Sequence, residues 1–161
     1  MDWQKLYTMQ RQLDTYIQSN HQLNSNDLFD KKILALLVEL GELANETRCF
    51  KFWSTKPTSE RAIVLEEYVD GLHFILSIGL DQGFTNEQIK VMALDKDTTN
   101  LFNYVFEKII TLKQDPSAKH YNEVFGAFLR LGEVLGFSEE DIQQAYIDKN
   151  EVNFNRQDTN Y

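Results

Sequence analysis

Two pairs of acidic residues, each spaced three apart, interrupt strongly apolar stretches of the chain. Glu39 and Glu42 lie in VELGELANE, and Glu67 and Asp70 lie in LEEYVDGLH. On a helix, residues at i and i+3 project from the same face, one turn apart. Burying unpaired carboxylates is costly or forces them to take up protons, and four that converge would also repel one another. Because hard cations prefer oxygen ligands, the spacing predicts a site for Mg²⁺, with Mn²⁺ as the alternative.

The two pairs also occupy mirror positions in a predicted helical hairpin. If residues 31–48 and 60–79 form antiparallel helices, the connecting stretch CFKFWSTKPTS is centred near Ser54 and Thr55. Closing the hairpin then places the carboxylates level in two pairs: Glu42 with Glu67, and Glu39 with Asp70. One αα-hairpin would thus build a four-carboxylate cage. A solvated acidic helix face is the alternative, and the mirror placement beside apolar neighbours favours the metal site.

The C-terminal stretch KNEVNFNRQDTNY offers hydrogen-bond donors. Lys149, Asn153 and Arg156 follow the spacing i, i+4, i+7, so a helix would present all three on one face. Ammonium, amide and guanidinium groups suit phosphate oxygens, and Arg can bind two of them at once. By composition alone a frayed polar tail is the better interpretation. The phosphate-binding interpretation depends on the nearby cage, because a polyphosphate could bridge metal and donors.

The hairpin loop and the first helix hold further candidates. Trp53, beside Phe50 and Phe52, could form a hydrophobic plug or a stacking surface for a base, and Lys51 could counter phosphate charge. His73 shares a helix face with Asp70, although a hydrogen-bonded core histidine is the commoner role. Two polar residues of the first helix would matter only if that helix borders the pocket: Gln10 and Asp14.

Helical periodicity dominates the chain, which contains only seven Gly and two Pro. The fold class predicted is all-α, a helical bundle around the hairpin, with residues 1–161 forming a single domain. Besides the hairpin helices, the pattern predicts helices over residues 3–19, 98–113, 117–135 and about 139–149, and a short one after Gly83. The expected N-caps are Asp27, Thr58 or Ser59, Thr85, and Ser138 with Asp141 as a capping box.

Charge and composition exclude some classes of function. The net charge of −9 argues against a nucleic-acid binder, whose footprint would be basic. The single cysteine, Cys49, allows no internal disulfide and fits a reducing compartment. MDWQKLYTMQ lacks an apolar signal region, and no apolar run approaches the ~20 residues that span a bilayer. We therefore expect a cytoplasmic protein without a membrane or nucleic-acid partner.

Together these residues resemble the all-α dimeric dUTPases of the MazG-like nucleotide pyrophosphatase superfamily. The superfamily pattern E-x-x-E, a gap and E-x-x-D matches Glu39 to Glu42 and Glu67 to Asp70, with 24 residues between them. Narrower resemblance comes from LYTMQRQLD, from the loop RCFKFWS and from KNEVNFNRQDTNY. Residues 84–140 carry little specific signal.

The resemblance implies a homodimer that hydrolyses dUTP to dUMP and pyrophosphate with Mg²⁺, with dUDP a further candidate substrate. It implies that the four acidic residues hold the metal and that Glu42 or Glu39 orients or deprotonates the attacking water. It also implies contacts with the substrate: Gln10 and Trp53 near uracil, Lys51 in the aromatic loop, His73 at the deoxyribose hydroxyl, and Lys149, Asn153 and Arg156 on phosphates. Asp14 departs from the family pattern, which often has Asn there.

Three alternatives stay open at this point. Another MazG-like pyrophosphohydrolase would act on dCTP or modified nucleotides. A carboxylate-bridged di-iron protein would need the Asp70-Gly71-Leu72-His73 type of element twice, and the chain, with three histidines, shows no second copy. A non-catalytic acidic helical adaptor would leave the mirror placement of the carboxylates unexplained.

Overall fold

The structure, a computed structural model, describes residues 1–24, 28–85 and 88–159. The described parts of the chain contain α-helices and no β-strand, so the all-α prediction is confirmed. The helices are α1 Trp3–His21, α2 Phe29–Thr47, α3 Arg61–Gln82, α4 Thr98–Gln114, α5 Ala118–Val134 and α6 Glu139–Asp158. None of these helices is both long and apolar enough to cross a membrane.

The predicted hairpin is formed by α2 and α3, which make the most extensive helix–helix contact. Its loop runs from residue 48 to residue 60 and has Ser54 at its middle, close to the centre that places the two acidic pairs at mirror positions. The predicted caps Thr58 and Ser59 are not used as caps, because α3 is preceded by Glu60 without a side-chain cap. Both hydroxyls instead donate to Glu46, which ties the loop to the end of α2. The other predicted cap, Asp27, lies outside the described residues.

Helix α3 is the centre of the bundle and contacts α1, α2, α5 and α6. One neighbour, α5, approaches it closely at two glycines. A Cβ atom on Gly132 of α5 would lie 2.6 Å from the Tyr68 hydroxyl oxygen, and one on Gly79 would overlap the Tyr121 hydroxyl. Both tyrosines are fully buried and donate to backbone carbonyls, Tyr68 to Phe128 at 3.0 Å and Tyr121 to Ile75 at 2.9 Å. These paired hydroxyls make the aromatic core specific as well as apolar.

The short helix predicted after Gly83 is wrong for the residues described there, since residues 88–97 form no helix. They run instead across α5 as a strap without regular secondary structure. The Met92 N–H donates to the Gly126 carbonyl at 3.1 Å, and a Cβ on Gly126 would lie 2.6 Å from the Lys90 carbonyl oxygen. Because the strap's hydrogen-bond partner lies far along the chain, local periodicity could not reveal it. The start of the predicted short helix falls on residues 86 and 87, which lie outside the described residues.

The last helix is longer than predicted and continues to Asp158. Its start matches the prediction, because Ser138 and Asp141 form a reciprocal capping box. Its end is docked onto α1, where the Tyr16 hydroxyl donates to Asp158 and the His21 ring is 2.9 Å from the Gln157 amide oxygen. Lys149, Asn153 and Arg156 therefore belong to an ordered helix and not to a frayed tail.

Candidate active site

The hairpin gathers three of the four predicted carboxylates into one tight group. Glu39 of α2 and Glu67 and Asp70 of α3 each offer an oxygen within 4.8 Å of the others, and all three side chains are partly buried. Glu42 lies outside this tight group and is exposed. It remains in electrostatic contact with the group, since the Glu42 carboxylate contributes to the raised pKa of Glu39. The cage is thus a triad of oxygens with a fourth carboxylate at its solvent side.

The electrostatics of this acidic group are unfavourable without a cation. Burial, reinforced by Asp70 and Glu42, raises the pKa of Glu39 to about 7. Burial and the same two neighbours also raise the pKa of Glu67. A divalent cation would relieve both the desolvation and the repulsion, and oxygen ligands alone suit a hard ion. The residues present therefore fit a divalent metal.

Lys149 of α6 is the counter-ion of the acidic group. Its ammonium lies 2.8 Å from an Asp70 oxygen and 2.7 Å from a Glu66 oxygen, and only 9% of its side chain is exposed. Burial opposes the charge of Lys149, but its bonds with Asp70 and Glu66 raise its pKa overall. For Asp70, burial raises the pKa and the bond with Lys149 offsets part of that rise. Glu66 was not singled out from the sequence, because its neighbour on α6 lies 83 residues further along the chain.

A cleft of about 300 Å³ opens beside the acidic group, between α1, α3 and α6. Most of the substrate-binding residues predicted from the sequence line it. They are Gln10 of α1, His73 of α3, and Asn153 and Arg156 of α6, with Glu39 and Asp70 at the metal end. The cleft joins a site suited to cations to a helix face rich in donors, and it has room for a small charged molecule.

His73 sits in this cleft with an unusual hydrogen-bond environment. Its Nδ1 atom is 2.8 Å from the Gln10 amide oxygen, and its ring stacks on Tyr146 at 4.1 Å between centroids. Its Nε2 atom has no hydrogen-bond partner among the described residues. Burial and the nearby charge of Lys149 lower the His73 pKa to about 3, although the Tyr146 backbone carbonyl opposes this. The imidazole is therefore neutral at physiological pH.

The floor of the cleft joins two candidates from the sequence, Gln10 and Asp14, to polar residues that local sequence patterns did not identify. Asp14 accepts hydrogen bonds from Gln10 at 2.8 Å and from Ser77 at 2.7 Å. Lys32 of α2 lies 3.9 Å from Asp14 and forms an ion pair with Asp81 at 2.5 Å. Burial raises the Asp14 pKa, while Lys32 and the two hydrogen bonds oppose the rise. These residues are scattered along three helices, and only their packing brings them together.

Three predicted substrate-binding residues are not part of the cleft lining: Lys149, which is paired with Asp70 and Glu66, and the hairpin-loop residues Trp53 and Lys51. Trp53 is 64% exposed in the hairpin loop, and its neighbour Phe52 is 94% exposed. Lys51 bonds with the Asn45 amide oxygen at 2.5 Å, on the outer side of α2. The loop is nevertheless ordered by hydrogen bonds, since the Arg48 guanidinium donates to the Ser54 hydroxyl at 2.7 Å. These aromatic rings are therefore held at the surface.

Fold and site together define an all-α protein in which a helical hairpin carries a group of carboxylates that could hold a metal ion, beside a polar cleft. The sequence model of the dUTPase family matches residues 2–161. The chain therefore belongs to the dUTPase family, and it is an enzyme that hydrolyses dUTP. A comparison with curated proteins finds no match.

Proposed function

We propose that this enzyme uses Mg²⁺ to hydrolyse dUTP to dUMP and pyrophosphate. The observation that carries the proposal is the group of three carboxylates, Glu39, Glu67 and Asp70, with oxygens within 4.8 Å of one another at the end of the cleft. Such a group is costly to assemble unless a cation occupies it. Triphosphates are commonly bound together with Mg²⁺ held by one or two carboxylates, so the site and the substrate suit each other.

In this proposal Glu39, Glu42, Glu67 and Asp70 hold the metal, and Mn²⁺ can replace Mg²⁺. A divalent ion held there would supply charge neutralisation at the phosphate oxygens and make water at the site more acidic. Glu39, Glu67 and Asp70 supply the close oxygens. Carboxylate oxygens suit either ion, and a titration of the metal-free protein would count the ions that bind.

The protein's part in the chemical step is to position water and take its proton. The water oxygen attacks the α-phosphorus, the bond to the bridging oxygen breaks, and pyrophosphate leaves with that electron pair. We assign the proton acceptor to Glu42, with Glu39 as the alternative. Glu42 is exposed and lies outside the tight group, so its carboxylate is available to a water molecule. General-base assistance of this kind is worth about 10²–10⁴-fold in rate.

Substrate contacts follow from the lining of the cleft. Asn153 and Arg156 lie along one face of α6 and, with Lys149, would grip the triphosphate. Gln10 and His73 lie on the α1 and α3 sides and would meet the uracil and deoxyribose portion. Arg is suited to bidentate phosphate contacts, and Lys149 supplies a point charge at the metal end.

We further propose a homodimer. α2 exposes Leu34 and Val38 at helical spacing, and a Cβ atom on Gly41, one turn further on, would meet nothing within 4 Å. An apolar stripe that ends in open space is a surface suited to a second copy of the chain. The exposed Trp53 and its neighbour Lys51 would act on substrate only if such an assembly brings the loop to a cleft.

The remaining expectations are part of the same proposal. Residues 1–161 would form one domain, with kinship to the MazG-like pyrophosphatases. The enzyme would act in the cytoplasm on free nucleotides, without nucleic acid or membrane as a partner.

A nucleotide panel tests the proposal. Release of pyrophosphate is measured with dUTP, dUDP, dTTP, dCTP and UTP, each with and without Mg²⁺. Turnover of dUTP that requires Mg²⁺ and yields dUMP supports the proposal. Preference for dCTP or a modified nucleotide would instead identify a related pyrophosphohydrolase. Two results together would favour the adaptor alternative: absence of any turnover, and Glu-to-Gln variants that bind a protein partner as wild type does.

A further inference from the structure

A buried chain of hydrogen bonds runs from Asp14 to His73 beneath the cleft. Both Asp14 oxygens are engaged within the chain, one by the Gln10 amide nitrogen at 2.8 Å and the other by the Ser77 hydroxyl at 2.7 Å. An ionised carboxylate only accepts hydrogen bonds. Asp14 lies one turn further along α1 than Gln10. Its carboxylate therefore requires that Gln10 direct its NH₂ group, and not its oxygen, toward Asp14.

The direction of the Gln10 amide fixes what its oxygen meets. Gln10 Oε1 accepts from the Tyr146 hydroxyl at 2.6 Å and lies 2.8 Å from His73 Nδ1. An amide oxygen cannot donate, so a hydrogen bond at that distance requires a proton on Nδ1. Gln10 is 3% exposed and His73 5% exposed, so their mutual contact is shielded from water, although His73 lines the cleft.

Since the imidazole is neutral, a proton on Nδ1 leaves Nε2 without one. Nε2 is then a hydrogen-bond acceptor, and it has no partner among the described residues. The opposite tautomer would need Gln10 to present its NH₂ to His73. The Gln10 oxygen would then face an Asp14 oxygen across about 2.8 Å, so that two acceptors oppose each other. The Tyr146 hydroxyl would also lose the amide oxygen that accepts its hydrogen bond at 2.6 Å and keep only the longer contact of 3.5 Å with the Leu6 carbonyl.

We propose that Asp14 is a positioning residue that acts through Gln10 to hold the His73 proton on Nδ1, leaving Nε2 to accept a hydrogen bond from dUTP. The second half of this statement rests on the proposed function, because it takes the cleft as the dUTP site. In dUTP the O–H and N–H donors are the deoxyribose 3′-hydroxyl and the uracil N3–H. Because His73 Nε2 can only accept a hydrogen bond, it is suited to one of these two donor groups of dUTP.

The tautomer can be measured directly in the substrate-free protein. Long-range ¹H–¹⁵N correlation spectra of ¹⁵N-histidine-labelled enzyme distinguish a protonated ring nitrogen from a bare one. We expect the proton of His73 on Nδ1 in wild type. Asp14→Asn, whose amide can donate, frees Gln10 to turn, so a measurable fraction of His73 should move its proton to Nε2. Asp81→Asn is the matched control, since Asp81 pairs with the same Lys32 at 2.5 Å and is not a partner of Gln10 in the described hydrogen bonds.

Ligand binding supplies the second readout. Adding α,β-imido-dUTP should shift the wild-type Nε2 resonance as it accepts a hydrogen bond, while Nδ1 keeps its proton. In Asp14→Asn the analogue should bind about threefold to tenfold more weakly, the range for one neutral hydrogen bond. A wild-type proton on Nε2, or identical spectra for Asp14→Asn and the control, would overturn the proposal. If the variant fails to fold, the wild-type spectrum alone still tests whether the His73 proton is on Nδ1. An analogue that does not bind would refute the proposed dUTP site, while the position of the His73 proton would be tested separately by the spectrum of the substrate-free protein.

Discussion

Replacing Glu39 by Gln should make the metal-free protein more stable at pH 8. Burial and the neighbouring carboxylates raise the folded-state pKa of Glu39 from 4.5 to about 7. The folded protein thus binds this proton more tightly than the unfolded chain does. Its contribution to stability is complete below pH 4.5 and is lost as the pH rises to about 7. Gln keeps the shape of the side chain and carries no charge, so the variant escapes that loss.

The size of the effect follows from the pKa and the exposure of the side chain. A pKa of about 7 against 4.5 corresponds to about 3 kcal/mol, at about 1.4 kcal/mol per pH unit. The Glu39 side chain is only half-buried, and solvent screens part of its interaction with Asp70 and Glu42. We therefore expect Glu39→Gln to raise the free energy of unfolding by about 1–1.5 kcal/mol at pH 8, with little difference at pH 4.5.

Urea unfolding in EDTA, followed by circular dichroism at both pH values, measures this difference. Repeating the experiment with saturating Mg²⁺ should favour wild type, because a ligand that binds only the folded state stabilises it by mass action. Glu107→Gln, an exposed glutamate of α4, controls for the loss of one negative charge from an acidic protein. A Glu39→Gln variant that is no more stable than the control at pH 8 in EDTA would refute the reasoning.

Three further predictions follow from the same site. Glu42→Gln should fold normally but lose most turnover of dUTP with Mg²⁺, by about 10²-fold or more; near-normal turnover would remove Glu42 from the mechanism. Lys149→Met should bind Mn²⁺ about fivefold or more tightly in the absence of nucleotide, because its ammonium lies 2.8 Å from Asp70; calorimetry showing unchanged or weaker binding would contradict this. Burial lowers the His73 pKa from 6.5 to about 3 in the folded protein, so the stability that the neutral imidazole contributes is lost as the pH falls below 6.5, by up to about 1.4 kcal/mol per pH unit. Acid titration of unfolding should show this slope in wild type and in His21→Gln, and a shallower one in His73→Gln; equal slopes would count against a buried neutral imidazole.

The acidic hairpin was largely predictable because its signals are local. Apolar periodicity defines α2 and α3, and the i, i+3 spacing places both carboxylates of each pair on one helix face. The near-symmetric loop then determines which residues meet. The structure departs in one respect from the predicted four-carboxylate cage. Glu42 lies at the edge of the group, while Glu39, Glu67 and Asp70 form its centre.

The sequence by itself determined the all-α class, the positions of the acidic pairs and the donor face of α6, because helical spacing depends only on nearby residues. Tertiary structure decided the strap at residues 88–97, the continuation of α6 onto α1, and the pairing of Lys149 with Glu66 and Asp70. It also decided the chain of hydrogen bonds from Asp14 to His73. Each of these depends on partners dozens of residues apart, whose distance is set by how the helices pack and not by any period in the sequence.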